Sequence, residues 1–143
     1  MKSPAMDLKD VLVTASIGTF AGTSESAWNI YIGFEPISPP KTITIYDTGG
    51  DDPNAAYLLD FPTIQIRVRG PKDGYQETYS KAWDVKEALL GIDPFTTTDG
   101  TRYDGVWAVG DLIYIGLNED RPIFVVNFRI AREPSAGTYR TSL

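Results

Sequence analysis

The chain contains no histidine and no cysteine among its 143 residues. Without histidine it lacks the commonest general base, the commonest metal ligand and every Ser-His or Cys-His nucleophile pair. Without cysteine it has no disulfide framework and no thiolate metal site, which is typical of a protein assembled in a reducing cytosol. Only a carboxylate-dependent hydrolase using Asp51, Asp52 or Asp60 remains as an enzyme alternative. We therefore predict a protein that is not an enzyme and uses no cofactor.

Long hydrophobic runs and an excess of positive charge are also missing. No stretch reaches the ~20 apolar residues of a membrane span, and the N-terminus lacks the apolar segment of a signal peptide. The formal net charge is −6, which argues against a protein that grips nucleic acid through clustered Lys and Arg. Two explanations of this charge stay open: ordinary solubility, and an acidic channel wall past which DNA slides without sticking.

Hydrophobic and aromatic residues are plentiful, which predicts a packed core. The hydrophobic fraction is 42%, with three Trp, eight Tyr and six Phe. The length fits one domain, and no repeat or interdomain linker is visible. We predict a single domain over residues 1–133, followed by a small and polar tail or arm over residues 134–143.

The segment from residue 61 to residue 92 joins a strand to a helix through a Gly-rich turn. In the strand, three apolar residues alternate with polar ones, so that one face carries Ile64, Ile66 and Val68 and the other carries Gln65, Arg67 and Arg69. The apolar residues of the helix cover about half of its surface; they are Tyr75, Tyr79, Ala82, Trp83, Val85, Leu89 and Leu90. We expect Trp83 and Leu89 to pack on the apolar face of the strand.

The remaining periodicities predict the fold class. Ser3 and Pro4 open a first helix, so helices are expected near residues 4–17 and 75–91. Period-two segments alternate with polar connections, including a long loop from Asp47 to Asp60 and a second loop from Pro94 to Gly105. The result is an α+β fold, a mostly antiparallel sheet of about five strands with two helices packed on one face.

Short motifs in a fixed order resemble a known family. They are VRG followed by a short turn, YQETY and LLGI within residues 61–92; Gly18-Thr19-Phe20; residues 28–33; Tyr46 to Gly50 with Pro53; Arg102-Tyr103-Asp104; and residues 122–128. The chain resembles the tail-terminator proteins of long-tailed bacteriophages, which are often labelled "minor capsid protein". The resemblance extends over most of the chain, and this family has the α+β architecture expected above.

The resemblance implies a structural role in the virion at the head–tail junction, with assembly in the host cytoplasm. A terminator of this kind forms a homohexameric ring at the head-proximal end of the tail tube, stops tube polymerisation and joins the tail to the head connector. Its expected partners are other copies of itself, the tail tube protein and the head–tail connector or head-closure protein. Genomic DNA passes through the ring without sequence-specific binding, and no membrane is involved. A head-closure or adaptor ring between portal and tail is the alternative within the virion.

Two polar segments are candidates for intersubunit or tube contacts. The loop from Asp47 to Asn54 is longer than a strand connection needs, and the tail keeps Tyr139 and Leu143 among small polar residues. The acidic loop lacks the alternation and the bidentate Glu of a calcium-binding EF-hand loop, so no metal site is predicted. The polar strip of Gln65, Arg67 and Arg69 is either a solvated face or a ring contact. The candidate interface residues are Asp47, Thr48, Gly49, Gly50, Asp51, Asp52, Arg67, Arg69, Tyr139 and Leu143.

Overall fold

The computed structural model describes residues 1–54 and 58–134. It contains two helices and eight strands in one mixed sheet. The elements are α1 (Pro4–Thr14), β1 (Thr19–Phe20), β2 (Asn29–Ile32), β3 (Thr42–Asn54), β4 (Leu59–Arg69), α2 (Tyr75–Leu89), β5 (Phe95–Thr96), β6 (Arg102–Ala108), β7 (Ile113–Asn118) and β8 (Arg121–Glu133). The α+β class and the two helices are confirmed, and the number of strands exceeds the five that were expected.

The sheet runs in the order β1-β2-β3-β4-β8-β6-β5. Strand β7 lies off this path and pairs with the first half of β8, while β6 pairs with the second half. The β1–β2 and β2–β3 pairs are parallel and the other pairs are antiparallel. Three strands were not expected: β1 and β5, of two residues each, are too short to leave a periodic signal, and β6 begins inside the segment expected to be the loop from Pro94 to Gly105.

Local capping explains where α1 begins. The Ser3 hydroxyl accepts a hydrogen bond from the Met6 amide at 3.3 Å, and Pro4 occupies the first turn, where its missing N–H costs nothing. The backbone of Ser16 is left-handed at φ 61°, so the helix stops at Thr14, three residues before the expected end.

Both helices pack on one face of the sheet, as predicted. The core joins Leu8 and Leu12 of α1 with Val85 and Leu89 of α2 over a row of fully buried residues in the sheet. The row consists of Ile43, Ile45, Ile64, Ile66, Val68, Val126, Phe128 and Ile130.

The buried face of α2 is narrower than predicted. It consists of Thr78, Ala82, Val85 and Leu89, whereas Trp83, expected in the core, is 45% exposed. The expectation for Trp83 was wrong because a straight helix on a sheet buries a stripe rather than half of its surface. Tyr75, which lies outside the stripe, contacts β7: its ring stands edge-on to the Tyr114 ring, with the ring centres 5.1 Å apart.

The expected long loop from Asp47 to Asp60 is mostly strand. Strands β3 and β4 continue past the core as a twisted hairpin, with Asp51 opposite Phe61 and Asn54 opposite Leu59. Register shifts follow Asp47 and Asp51, and they accommodate the Gly and Pro residues that read as chain breakers. Within the described residues, neither helix is long and apolar enough to cross a membrane.

Candidate assembly surfaces

The distal hairpin, defined as residues 47–54 of β3 with residues 59–63 of β4, contains six of the predicted interface residues. Its base is tied to α1, because the Asp47 carboxylate accepts a hydrogen bond from the Ala5 amide at 3.0 Å. An acidic group at this helix end also faces the positive end of the helix dipole. Asp47 is therefore an anchor that fixes the hairpin's direction relative to the helix layer.

Beyond Asp47, side-chain contacts connect the distal hairpin across its strands and to β8. The hydroxyls of Thr48 and Thr63 are 2.7 Å apart, and Asp51 forms an ion pair with Arg129 at 3.4 Å. Gly50 has a φ of 137°, and a side chain there would collide with the Phe61 carbonyl, so only glycine fits. Residues 47 to 53 are all exposed. The hairpin is thus an ordered, polar projection that adds nothing to the core.

The polar strip of β4 is covered within the protomer rather than solvated. The Arg69 guanidinium, 2% exposed, donates to the carbonyls of Ile37 at 3.3 Å and Pro39 at 2.9 Å. Arg67 lies 3.5 Å from the Glu35 carboxylate. Burial lowers the pKa of Arg69, and the Glu35 charge opposes that shift. Both predicted residues therefore clamp the segment of residues 33–41 onto the sheet.

This clamped segment presents its apolar side chains to solvent. Ile37 is 73% exposed while its carbonyl accepts hydrogen bonds from Arg69 and Arg121. Phe34 is 60% exposed and packs against the Tyr31 ring at 5.7 Å. The remaining predicted interface residues, Tyr139 and Leu143, lie outside the described residues.

A group of exposed apolar side chains lies on β7, which sequence reasoning did not single out. Every residue of β7 except Gly116 is exposed, including Ile113, Tyr114, Ile115 and Leu117. The signal in the sequence was the alternation of Ile113, Ile115 and Leu117 before a turn. That pattern predicts a strand, but it does not reveal that one side of the strand lacks a partner.

A cavity of about 870 Å³ lies between α1 and the segment after α2, and its wall includes Asp7, Val11, Phe95 and Asp99. The Tyr103 hydroxyl donates a hydrogen bond to the buried Asp7 carboxylate, and burial raises the pKa of both groups. Burial favours the protonated form of Asp7, and the hydrogen bond from Tyr103 opposes that shift in its pKa.

The carboxylates proposed for a hydrolase do not converge in this cavity. Asp51 and Asp52 are exposed on the distal hairpin, and Asp60 faces Arg132 across β4 and β8. Among residues 1–54 and 58–134, no group of three or more acidic side chains is arranged to hold a metal ion. The described part of the chain instead exposes apolar residues on β7 and polar residues on the distal hairpin.

A protein-family model matches most of the chain. The family model described as bacteriophage tail terminator protein matches residues 6–134, which spans both helices and all eight strands. A comparison with curated proteins gave no significant match.

Proposed function

The chain belongs to the bacteriophage tail terminator family, and from that premise we propose that it closes the tail tube as a homohexameric ring. Family membership gives the coarser statement, a structural protein of the phage tail and virion. The finer statement is that the ring caps the head-proximal end of the tube, stops its polymerisation and joins the tail to the head connector. The match from residue 6 to residue 134 carries this proposal, because it covers the whole folded domain.

The division of the protomer into core and projections supports an assembly role. A monomeric protein rarely exposes a contiguous apolar patch of the kind that surrounds β7, and closed rings require two different patches on each copy. The distal hairpin offers a separate, polar surface through Thr48, Gly49 and Asp52. We assign the apolar surface to contacts within the ring and the hairpin to contacts with neighbouring copies or the tube.

The partners follow from this division. One end of the ring matches the last ring of the tube protein, and the other end matches the head–tail connector, so that no further tube subunit can add. Genomic DNA passes through the lumen, and the acidic balance of the chain, −6, disfavours tight binding to its phosphates. Ring assembly takes place in the host cytoplasm before the particle is complete.

Light scattering coupled to size exclusion tests the ring directly. We expect a hexamer mass for the purified protein, or for the protein mixed with tube protein if the ring closes only on the tube. A monomer under both conditions would contradict the ring.

Shortening the distal hairpin tests its role without disturbing the helix cap. Residues 49–61 are replaced by a short Gly-Ser turn, so that Asp47 keeps its bond to the Ala5 amide. We expect a folded protomer, and phage lysates with overlong tubes or tails unattached to heads. A second variant that ends at residue 133 tests the predicted arm in the same assay. Normal virions from either variant would exclude that segment from assembly.

A further inference from the structure

We propose that the ring closes by seating the β7 edge of one copy against the β1 end of the next copy. The β7 edge comprises Ile113–Asn118 with the turn residues Glu119 and Asp120. The β1 end comprises the apolar side chains around Phe20 and Trp28 with Lys9, Lys41 and Lys81. This inference rests on the proposed ring and names the two patches that form it.

The β7 edge resembles a sheet edge that is open to pairing with a further strand. Natural proteins guard sheet edges with short strands, Lys, Pro or bulges. The other two outer strands, β1 and β5, have two residues each, whereas β7 has six. Residues 113–118 contain neither Lys nor Pro, and one register shift between Tyr114 and Gly116 is the guarding feature of this strand. Leu117 is 62% exposed at its end.

The β1 end is concave, and apolar side chains form part of its wall. A shallow cavity of about 440 Å³ is lined by Val13, Ile17, Phe20 and Trp28. It lies where α1 ends and the sheet begins, so the projecting edge of β7 meets a recess rather than a flat face. A projecting edge and a recess provide the complementary shapes that a close-packed interface core requires.

Charged side chains lie near both patches. Three lysines lie over the aromatic rings that line the recess: Lys9 lies 4.3 Å from the Phe20 ring centre, and Lys41 and Lys81 each lie 5.7 Å from a Trp28 ring centre. Lys9 and Lys41 have partners in Asp10 and Glu77. Within the described part of the chain, Lys81 is without a carboxylate at ion-pair distance and bonds the Ile17 carbonyl at 3.2 Å.

Acidic groups sit at both ends of β7. Glu119 and Asp120 form the turn after the strand, with left-handed φ values of 52° and 65° that hold the turn outward. Asp111 precedes the strand. Its carboxylate accepts hydrogen bonds from the Leu112 amide and, at 3.0 Å, from the Lys86 ammonium, and these bonds lower its pKa. Acidic residues facing a lysine-rimmed recess set the register of the contact and speed encounter.

The topology permits closure. Strand β1 terminates one end of the strand order, whereas β7 lies off that order and pairs with β8, four strands away from β1. Each copy can therefore use both patches at once, and the contact is heterologous, as cyclic closure demands. A two-fold pairing of β7 with β7 would bring like charges together and would stop at a dimer.

Thiol cross-linking tests the pairing, because the chain has no native cysteine. One protein preparation carries Ile115→Cys and a second carries Thr19→Cys. Both substituted positions are exposed. The two are mixed and treated with a short bis-maleimide. We expect a covalent dimer between the two variants, and a ladder up to the ring size when both substitutions are in one chain. Ile115→Cys alone should give no covalent dimer, and neither should its mixture with Asp52→Cys.

The outcomes separate this inference from the proposed function. Melting curves first establish that each variant is folded, and light scattering establishes that it assembles. An assembled ring without links between residues 115 and 19, or with links between two copies of residue 115, would overturn the pairing and leave the ring in place. Absence of any ring from the wild-type protein, alone and with tube protein, would overturn both.

Discussion

The stripe of α2 that faces the sheet and the β7 edge are built from the same kinds of residue but have opposite surroundings. Val85 and Leu89 are completely buried, whereas Ile115 and Leu117 stand in solvent with comparable side chains. Burying such a side chain is worth roughly 1.5–3 kcal/mol, and the protomer realises this gain only for the first pair. The first pair therefore stabilises the protomer, whereas the second pair can be buried only by another molecule.

Truncating a side chain in the buried stripe of α2 should have the largest effect on stability. Leu89→Ala leaves a cavity against the buried face of β4, so we expect a loss of about 2–5 kcal/mol in the free energy of unfolding. Chemical denaturation measures it. Leu90→Ala, at an exposed neighbouring position, is the matched control, and equal effects of the two substitutions would show that the buried stripe of α2 is misassigned.

The base of the distal hairpin should contribute an intermediate amount. Asp47→Ala removes the acceptor for the Ala5 amide, and loss of a helix cap costs about 0.5–2 kcal/mol. Asp47→Asn keeps an acceptor and should retain most of the stability, while Asp52→Ala at the exposed end of the hairpin should change the denaturation midpoint little. A large effect of Asp52→Ala would mean that the hairpin end belongs to the fold.

The smallest effect concerns the buried carboxylate of Asp7, next to Tyr103, and the pH dependence of stability. Burial raises the pKa of Asp7, so the folded protein retains this proton to higher pH than the unfolded chain does. Stability from this group is therefore complete below the unfolded pKa of about 3.9 and declines as pH rises through the folded pKa. Asp7→Asn should remove that decline, and Asp10→Asn should not. Urea midpoints across the acidic range measure it, and identical profiles for wild type and Asp7→Asn would refute this reading.

The sequence predicted the parts of the fold that depend on local periodicity. The alternation at Ile64, Ile66 and Val68 gave a face that is completely buried, and the helix pattern placed α2 within two residues of its observed end at Leu89. The burial of Leu89 was also predicted correctly. These features follow from the geometry of one element and need no knowledge of its neighbours.

The missed features depend on how elements are arranged. Trp83 lies on the apolar half of α2, but the width of the buried stripe is set by the sheet beneath it. Gly49, Gly50 and Pro53 read as breakers because the register shifts that admit them require the partner strand. The openness of β7 is a property of the strand order, so no pattern within residues 113–118 could reveal it. Likewise, Arg69 looked like a surface residue until the segment of residues 33–41 covered it.

Tail length in phage particles tests the central claim, that the surface around β7 assembles the terminator, most directly. Leu117→Lys places a charge in that surface and, as an exposed substitution, should change protomer stability by no more than about 0.5 kcal/mol. Phe34→Lys is the control, since Phe34 is equally exposed at 60% but lies outside both proposed patches. Electron microscopy of lysates complemented with Leu117→Lys should show overlong or unattached tails, and Phe34→Lys should give normal ones. Tails of normal length joined to heads with folded Leu117→Lys protein would contradict the account.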